Sequence, residues 1–198
     1  MSIRHTSTIA AAMFAAVLVP VATAGAVTTA DTAGRPAAVE PGDPAHAIYG
    51  DRVIDLASGW GDAQACVVGE VHTYCYASEG ELRAAHPEVA GVVAPGHGLR
   101  SFAPHAALTT CSSAIGLYDN TSWGTPVVFV TTRFVYTNLS SLGFDNRTSS
   151  YAIGACSATF YDGATGTGSI YPGSTGAGAS AAAMLSGWND RVSSVYMN

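Results

Sequence analysis

Two short segments near the C-terminal end of the chain repeat the same arrangement of oxygen-bearing side chains. Residues 145–150 read Asp-Asn-Arg-Thr-Ser-Ser, and residues 189–194 read Asn-Asp-Arg-Val-Ser-Ser. The offset is 44 positions, 189 minus 145, and a glycine and an aromatic residue precede each segment. Calcium binds about six to eight hard oxygens from carboxylates, amides, hydroxyls and carbonyls. The two segments, named here the first and second clamp, are therefore candidate calcium ligands.

The repeat extends upstream of both clamps. Tyr118-Asp119 corresponds to Tyr161-Asp162 at an offset of 43, and Cys111 corresponds to Cys156 at an offset of 45. A nearly constant period indicates one supersecondary unit used twice. We name the two copies the first half-unit, which begins at Cys111, and the second, which begins at Cys156. Short apolar runs between Gly and Asx turns favour a β-sandwich, with strands at 114–118, 127–130, 133–136, 158–161, 169–171 and in the clamps.

Both clamps resemble the calcium-binding signature of microbial βγ-crystallins: Asn/Asp, Asn/Asp, two variable residues, Ser/Thr and Ser. The segments 117–119, 138–140 and 171–173 are similar to the secreted peptidase inhibitor family I36, a βγ-crystallin-like group named for a bacterial metalloproteinase inhibitor. The resemblance covers residues 109–198. It implies an all-β fold, a βγ-crystallin-type sandwich of two Greek-key motifs, here preceded by a small disulfide-tied N-terminal segment.

The resemblance also implies that the two clamps exchange ligands. One calcium ion would be bound by Asn146, the Arg147 carbonyl and Ser193. The other would be bound by Asp190, the Arg191 carbonyl and Ser149. Asp145 and Asn189 would brace the turns, and Asp119 and Asp162 are weaker candidates for a further ligand. Because each site has few carboxylates, we expect weak binding, with a calcium dissociation constant of about 10⁻⁴–10⁻³ M, as in other extracellular modules.

Two functions follow from this pattern. The first is a secreted, non-enzymatic calcium-binding protein whose partner, by resemblance, is a secreted metalloproteinase that it inhibits. The alternative is an extracellular structural module with no inhibitory activity. In that case the clamp residues are turn formers, because Asx side chains bond the backbone two residues on and serines tie loops in the same way.

The N-terminal half divides into four predicted parts. Arg4, the apolar run 9–21 and Ala22-Thr23-Ala24 predict a signal peptide at 1–24. Residues 25–46 predict a disordered leader. Residues 47–108 predict a small segment and linker, with a hairpin across 69–70 and a short helix. The sequence Ser-x-x-Glu at 78–81 is a capping box that starts this helix.

All four cysteines follow the predicted signal peptide, which favours disulfides. Four cysteines allow about three pairings, and sequence cannot choose among them. We favour Cys111–Cys156, since they occupy equivalent places in the two half-units, and therefore Cys66–Cys75. Zinc is disfavoured because no Cys-x-x-Cys pair is present.

Charge and motifs exclude several other classes of protein. The formal net charge is −6, and it becomes −7 (7 minus 14) when Arg4 leaves with the signal peptide. An acidic chain without a basic patch is neither a nucleic-acid binder nor suited to anionic membranes. The histidines form no His-Glu-x-x-His motif, and no nucleophile elbow or phosphate loop is present. We therefore predict no catalytic residues.

Overall fold

The structure is a computed structural model that describes residues 43–92, 111 and 113–198. The predicted signal peptide (1–24), leader residues 25–42 and linker residues 93–108 lie outside the described residues. The strands are β1 (His46–Tyr49), β2 (Arg52–Asp55), β3 (Ala65–Val68), β4 (Thr73–Tyr76), β5 (Ile115–Asn120), β6 (Gly124–Val130), β7 (Tyr136–Asn138), β8 (Ser150–Ile153), β9 (Ala158–Tyr161), β10 (Ser180–Ala181) and β11 (Ser194–Met197). The helices are α1 (Glu79–Ala85) and 3-10 turns at Pro87–Val89, Thr121–Trp123, Leu139–Leu142 and Ala164–Gly166.

The strands form two sheets that share strands between the half-units. One sheet has the order β10-β8-β5-β6-β3-β4-β1-β2, and the other has the order β7-β11-β9. Strand β7 of the first half-unit pairs with β11 of the second, whereas β10 of the second pairs with β8 of the first. Two Greek-key motifs that each give one strand to the other's sheet make a sandwich. The predicted fold class, a βγ-crystallin-type sandwich, is therefore confirmed.

The space between the two sheets is filled largely by aromatic and branched side chains. Tyr151 packs edge to face against Phe160 and Tyr171, with ring centroids 5.1 and 5.7 Å apart. Phe144 and Val195 are fully buried in the same cluster. Burial of this apolar surface is the main term that holds the half-units together.

The N-terminal segment continues the larger sheet. Strand β3 pairs in parallel with β6, from Ala65 opposite Val127 to Val68 opposite Val130. Strands β3 and β4 form the predicted hairpin, and the Cys66–Cys75 disulfide joins directly opposed residues. The second disulfide is Cys111–Cys156, so the favoured pairing is confirmed for both bridges.

Helix α1 packs on the face of the larger sheet that points away from the sandwich. Ser78 is its N-cap, and the Ser78 hydroxyl accepts a hydrogen bond from the Glu81 amide, as predicted. Arg83 pairs with Glu79 at 2.7 Å, and its guanidinium lies 4.9 Å from the centroid of the Phe129 ring. The Tyr118 hydroxyl donates to Glu79 at 3.2 Å. This polar contact attaches the N-terminal segment to the first half-unit.

Two strand predictions were wrong in detail. The strand predicted at 133–136 begins only at Tyr136, since Phe134 has a φ of 59°, which extended strands do not adopt. The strand predicted at 169–171 is reduced to a single bridge between Tyr161 and Ile170. In the described part of the chain, no helix is long and apolar enough to cross a membrane.

Candidate metal centre

The two clamps lie at equivalent places, each directly before the last strand of its half-unit. The first clamp leads into β8 and the second into β11. The Ser149 amide donates to the Tyr118 carbonyl at 2.8 Å, and the Ser193 amide donates to the Tyr161 carbonyl at 2.8 Å. Each clamp is thereby attached to the first strand of its own half-unit, at the aligned tyrosine.

The clamps also bond to each other in a reciprocal way. The backbone amide of Asn146 donates to the Val192 carbonyl at 3.1 Å. The backbone amide of Asp190 donates to the Thr148 carbonyl at 3.1 Å. Asn146 and Asp190 have φ values of 56° and 54°, in the left-handed region where Asn and Asp are tolerated. The second Asx of each clamp is therefore at the tip of a tight turn facing the other clamp.

The structure brings together the side chains that the resemblance groups. The Ser149 hydroxyl donates to Asp190 Oδ1 at 2.9 Å. The Ser193 hydroxyl donates to Asn146 Oδ1 at 3.4 Å. Within the described part of the chain, no protein hydrogen bond uses the carbonyl oxygen of Arg147 or Arg191. The Arg191 carbonyl is thus available beside the Ser149–Asp190 pair, and the Arg147 carbonyl is available beside the Ser193–Asn146 pair.

The donor set suits calcium better than softer metals. The grouped atoms are hydroxyl, amide, carboxylate and carbonyl oxygens, which are the ligands that calcium prefers. Asp145 Oδ1 is buried without a hydrogen-bond partner among the described residues, so the first clamp has a further unsatisfied oxygen. Clusters of three or more His, Cys, Asp or Glu side chains able to hold a metal are absent from the described residues.

Asp119 and Asp162, the weaker ligand candidates, are bound by arginine side chains instead. Arg147 pairs with Asp119 at 2.9 Å, and Arg191 pairs with Asp162 at 2.6 Å. The pKa of the Asp162 carboxyl is lowered, mainly by the hydrogen bond from the Ser169 backbone amide and to a smaller extent by the Arg191 guanidinium. Both aspartates are therefore hydrogen-bonded by the arginine of the clamp in their own half-unit.

The last serine of each clamp has a different task from the serine before it. The Ser150 hydroxyl donates to the Asn120 carbonyl and accepts from the Trp123 amide, at 2.6 and 3.0 Å. The Ser194 hydroxyl makes the same two bonds with Gly163 and Gly166. The sixth position thus ties down the folded hairpin of its half-unit, while the fifth faces the other clamp. Residue type alone does not distinguish the two serines, although the resemblance assigned a calcium ligand only to the fifth position.

One residue that supports the first clamp has no sequence signal at all. Trp60, in the N-terminal segment, donates from Nε1 to the Leu142 carbonyl at 2.7 Å. Its ring stacks on Phe144, the aromatic residue just before the first clamp, with centroids 5.6 Å apart. The contact spans 82 positions of sequence to Leu142, and only the tertiary structure reveals it.

Comparison with known proteins gave two similar solved structures. The N-terminal domain of protein S is 23% identical, with a TM-score of 0.36, over 43% of this chain and 96% of that one. A βγ-crystallin from Ciona intestinalis is 20% identical, with a TM-score of 0.36, over 43% of this chain and 100% of that one. No protein-family model and no curated protein matches the chain.

Proposed function

We propose that this protein is an exported calcium-binding protein whose two ions are held between the clamps. The observation that carries the proposal is the reciprocal pairing of Ser149 with Asp190 and of Ser193 with Asn146. Asn146, the Arg147 carbonyl and Ser193 would hold one ion. Asp190, the Arg191 carbonyl and Ser149 would hold the other. The two disulfides are typical of an oxidising compartment, which supports export.

Calcium would act on this protein mainly by stabilising its fold. Each proposed site takes ligands from both half-units, so an ion bound there joins them. An ion present at about 100 times its dissociation constant adds about 2.7 kcal/mol to the free energy of unfolding. That increment is large for a small domain, whose total stability is about 5–15 kcal/mol. The proposed role is binding, without catalysis.

The deciding experiment is a calorimetric calcium titration of the purified protein and of two serine variants. We expect two saturable sites, with one lost in Ser149→Ala and the other in Ser193→Ala. Ser58→Ala is the matched control, because the Ser58 hydroxyl also donates to an aspartate, Asp55, at 2.7 Å but lies far from the clamps in sequence. A folded protein that takes up no calcium would make the clamps structural turns and favour the extracellular scaffold.

A second candidate function, inhibition of a metalloproteinase, is favoured by an exposed apolar surface. A groove of about 260 Å³ lies between the β3–β4 turn and strand β7. Val71, Val135 and Tyr136 line it and are 52%, 52% and 44% exposed, and the neighbouring Phe134 is 64% exposed. Clustered exposed apolar residues mark interaction sites more often than scattered ones do. A protein partner that covered this surface would bury it from water.

A protease assay tests the inhibitor function. We expect micromolar protein to slow a thermolysin-like enzyme, and Val71→Asp with Val135→Asp to abolish the inhibition. The serine variants of the clamps serve as controls, since they leave the groove intact. Unchanged protease rates with the unaltered protein would remove the inhibitor function and leave the calcium proposal untouched.

A further inference from the structure

Arg147, the third residue of the first clamp, makes three kinds of contact with its guanidinium group. Nε and Nη2 donate to the two carboxylate oxygens of Asp119, at 2.9 and 3.1 Å. Nη1 donates to the Gly143 carbonyl at 2.9 Å. The guanidinium lies 5.2 Å from the centroid of the Phe144 ring. One side chain therefore joins the entry of the clamp to the first hairpin of the same half-unit.

Arg191, the third residue of the second clamp, repeats all three contacts. Nη2 donates to Asp162 at 2.6 Å, and Nη1 donates to the Gly187 carbonyl at 3.1 Å. The guanidinium lies 5.1 Å from the centroid of the Trp188 ring. The two clamps differ in their aromatic residue, in the order of their Asx pair and in their fourth residue. Despite those differences, the arginine makes the same three kinds of contact in both clamps.

These contacts contribute little to stability as ion pairs. The Arg147 and Arg191 side chains are 37% and 49% exposed, and pairs at such positions are screened by solvent. Their geometry matters more. Gly143 and Gly187 have φ values of 60° and 78°, so each clamp enters through a left-handed turn whose carbonyl the guanidinium holds. A planar guanidinium can bond a carbonyl and a carboxylate together, which an ammonium group does less well.

We propose that Arg147 and Arg191 are positioning residues of the two calcium sites. Each guanidinium fixes the clamp between its entry glycine and the hairpin aspartate. The backbone carbonyl of the same arginine is thereby presented to the ion that the serine of the other clamp binds. The guanidinium also keeps Asp119 and Asp162 away from the ion, which limits the carboxylates at each site. This inference rests on the proposed calcium function.

Calorimetry of Arg147→Ala tests the inference on the purified protein. Mutation of a residue that supports a metal ligand from the outer shell typically lowers metal affinity about 10- to 100-fold. We therefore expect one calcium site to weaken by about that factor and the other to stay unchanged. Because the Arg147 carbonyl belongs with Ser193, adding Arg147→Ala to Ser193→Ala should cause no further loss. Adding it to Ser149→Ala should weaken the one remaining site.

Two more variants separate positioning from a general loss of folding. Asp119→Asn keeps the size of the side chain but removes its charge, and it should weaken the same site as Arg147→Ala, by a smaller factor. Arg52→Ala is the control, since Arg52 is exposed and lies 3.9 Å from Asp62, away from the clamps. In chelator, amide hydrogen exchange of Asn146 should be faster in Arg147→Ala, while exchange in β3 and β5 stays unchanged.

The results that would overturn the inference differ from those that would overturn the calcium function. Two unaltered calcium sites in both Arg147→Ala and Asp119→Asn would leave the protein a calcium binder and remove the positioning role. The same holds if Arg147→Ala weakens the site that depends on Ser149. No calcium uptake by the unaltered protein would instead remove the calcium function, and the positioning role with it.

Discussion

The first and second clamps make the same backbone contacts with different side chains. In each, the Asn donates to the Asp beside it, at 3.0 Å in the first clamp and 2.7 Å in the second. The order is reversed, however, so the residue that faces the other clamp is Asn146 in one case and Asp190 in the other. The hydroxyl of Ser149 therefore meets a carboxylate, whereas that of Ser193 meets an amide.

Their surroundings differ as well. The first clamp is backed by Trp60 of the N-terminal segment, which stacks on Phe144. The second clamp is backed from within its own half-unit, where Trp188 packs edge to face against Tyr171 at 5.4 Å. Ser149 is buried, at 5% exposure, while Ser193 is partly exposed. A duplicated backbone thus supports two sites that we expect to differ in charge, burial and dependence on the N-terminal segment.

The largest expected effect comes from removing the two supporting tryptophans, which are equally buried at 7% exposure. Trp60→Ala and Trp188→Ala should each lower the free energy of unfolding by about 3–5 kcal/mol. We expect Trp60→Ala to weaken calcium at the Asn146 site and Trp188→Ala to weaken it at the Asp190 site. Denaturant unfolding in chelator and calcium titration measure the two effects. Equal losses at both sites in either variant would contradict the separate backing of the clamps.

The next largest expected effect is the loss of stability in the absence of calcium when each clamp serine is replaced by alanine. Ser149→Ala removes a buried hydrogen bond to a carboxylate and should cost about 1–2 kcal/mol of stability. Ser193→Ala removes a longer bond to an amide at a partly exposed position and should cost less than about 0.5 kcal/mol. Thermal unfolding in chelator measures both, with Ser58→Ala as the control. Equal costs would show that the two clamps are energetically alike.

A swap within the first clamp tests the difference in charge. Asp145→Asn with Asn146→Asp gives the first clamp the order of the second, at constant net charge and with an Asn beside an Asp. Because calcium affinity rises with the number of charged ligands, the Ser193 site should bind more tightly and approach the Ser149 site. Calorimetry of the double variant gives the ratio of the two dissociation constants. An unchanged ratio would mean that the reversed order has no effect on binding.

The smallest expected effect is a dependence on acid pH. The pKa of Asp162 is lowered in the folded state by the Ser169 amide and by Arg191. Its contribution to stability is therefore present above the unfolded-state pKa, about 3.9, and is lost as the pH falls through the lower folded-state value. Stability of Asp162→Asn should depend less steeply on pH below 4 than that of the unaltered protein. Parallel acid unfolding curves would contradict this.

The sequence alone predicted the parts of this protein that are local or repeated. The 44-residue offset, the two Asx–Ser clamps and the capping box at Ser78 were visible as patterns, since turn chemistry and duplication act over short distances. The equivalent positions of Cys111 and Cys156 pointed to the disulfide between them for the same reason. These features require only that neighbouring residues, or aligned copies of them, adopt the same local geometry.

Only the tertiary structure decided how the parts meet. The parallel pairing of β3 with β6 and the stacking of Trp60 on Phe144 join residues far apart in sequence, and no local pattern encodes such contacts. Arg147 and Arg191 were expected to contribute only their backbone carbonyls, yet their side chains also pair with Asp119 and Asp162, the weaker candidates for calcium ligands. Each arginine meets its aspartate only when the sandwich has folded. The role of the arginine side chain therefore depends on tertiary packing, which local sequence patterns do not encode.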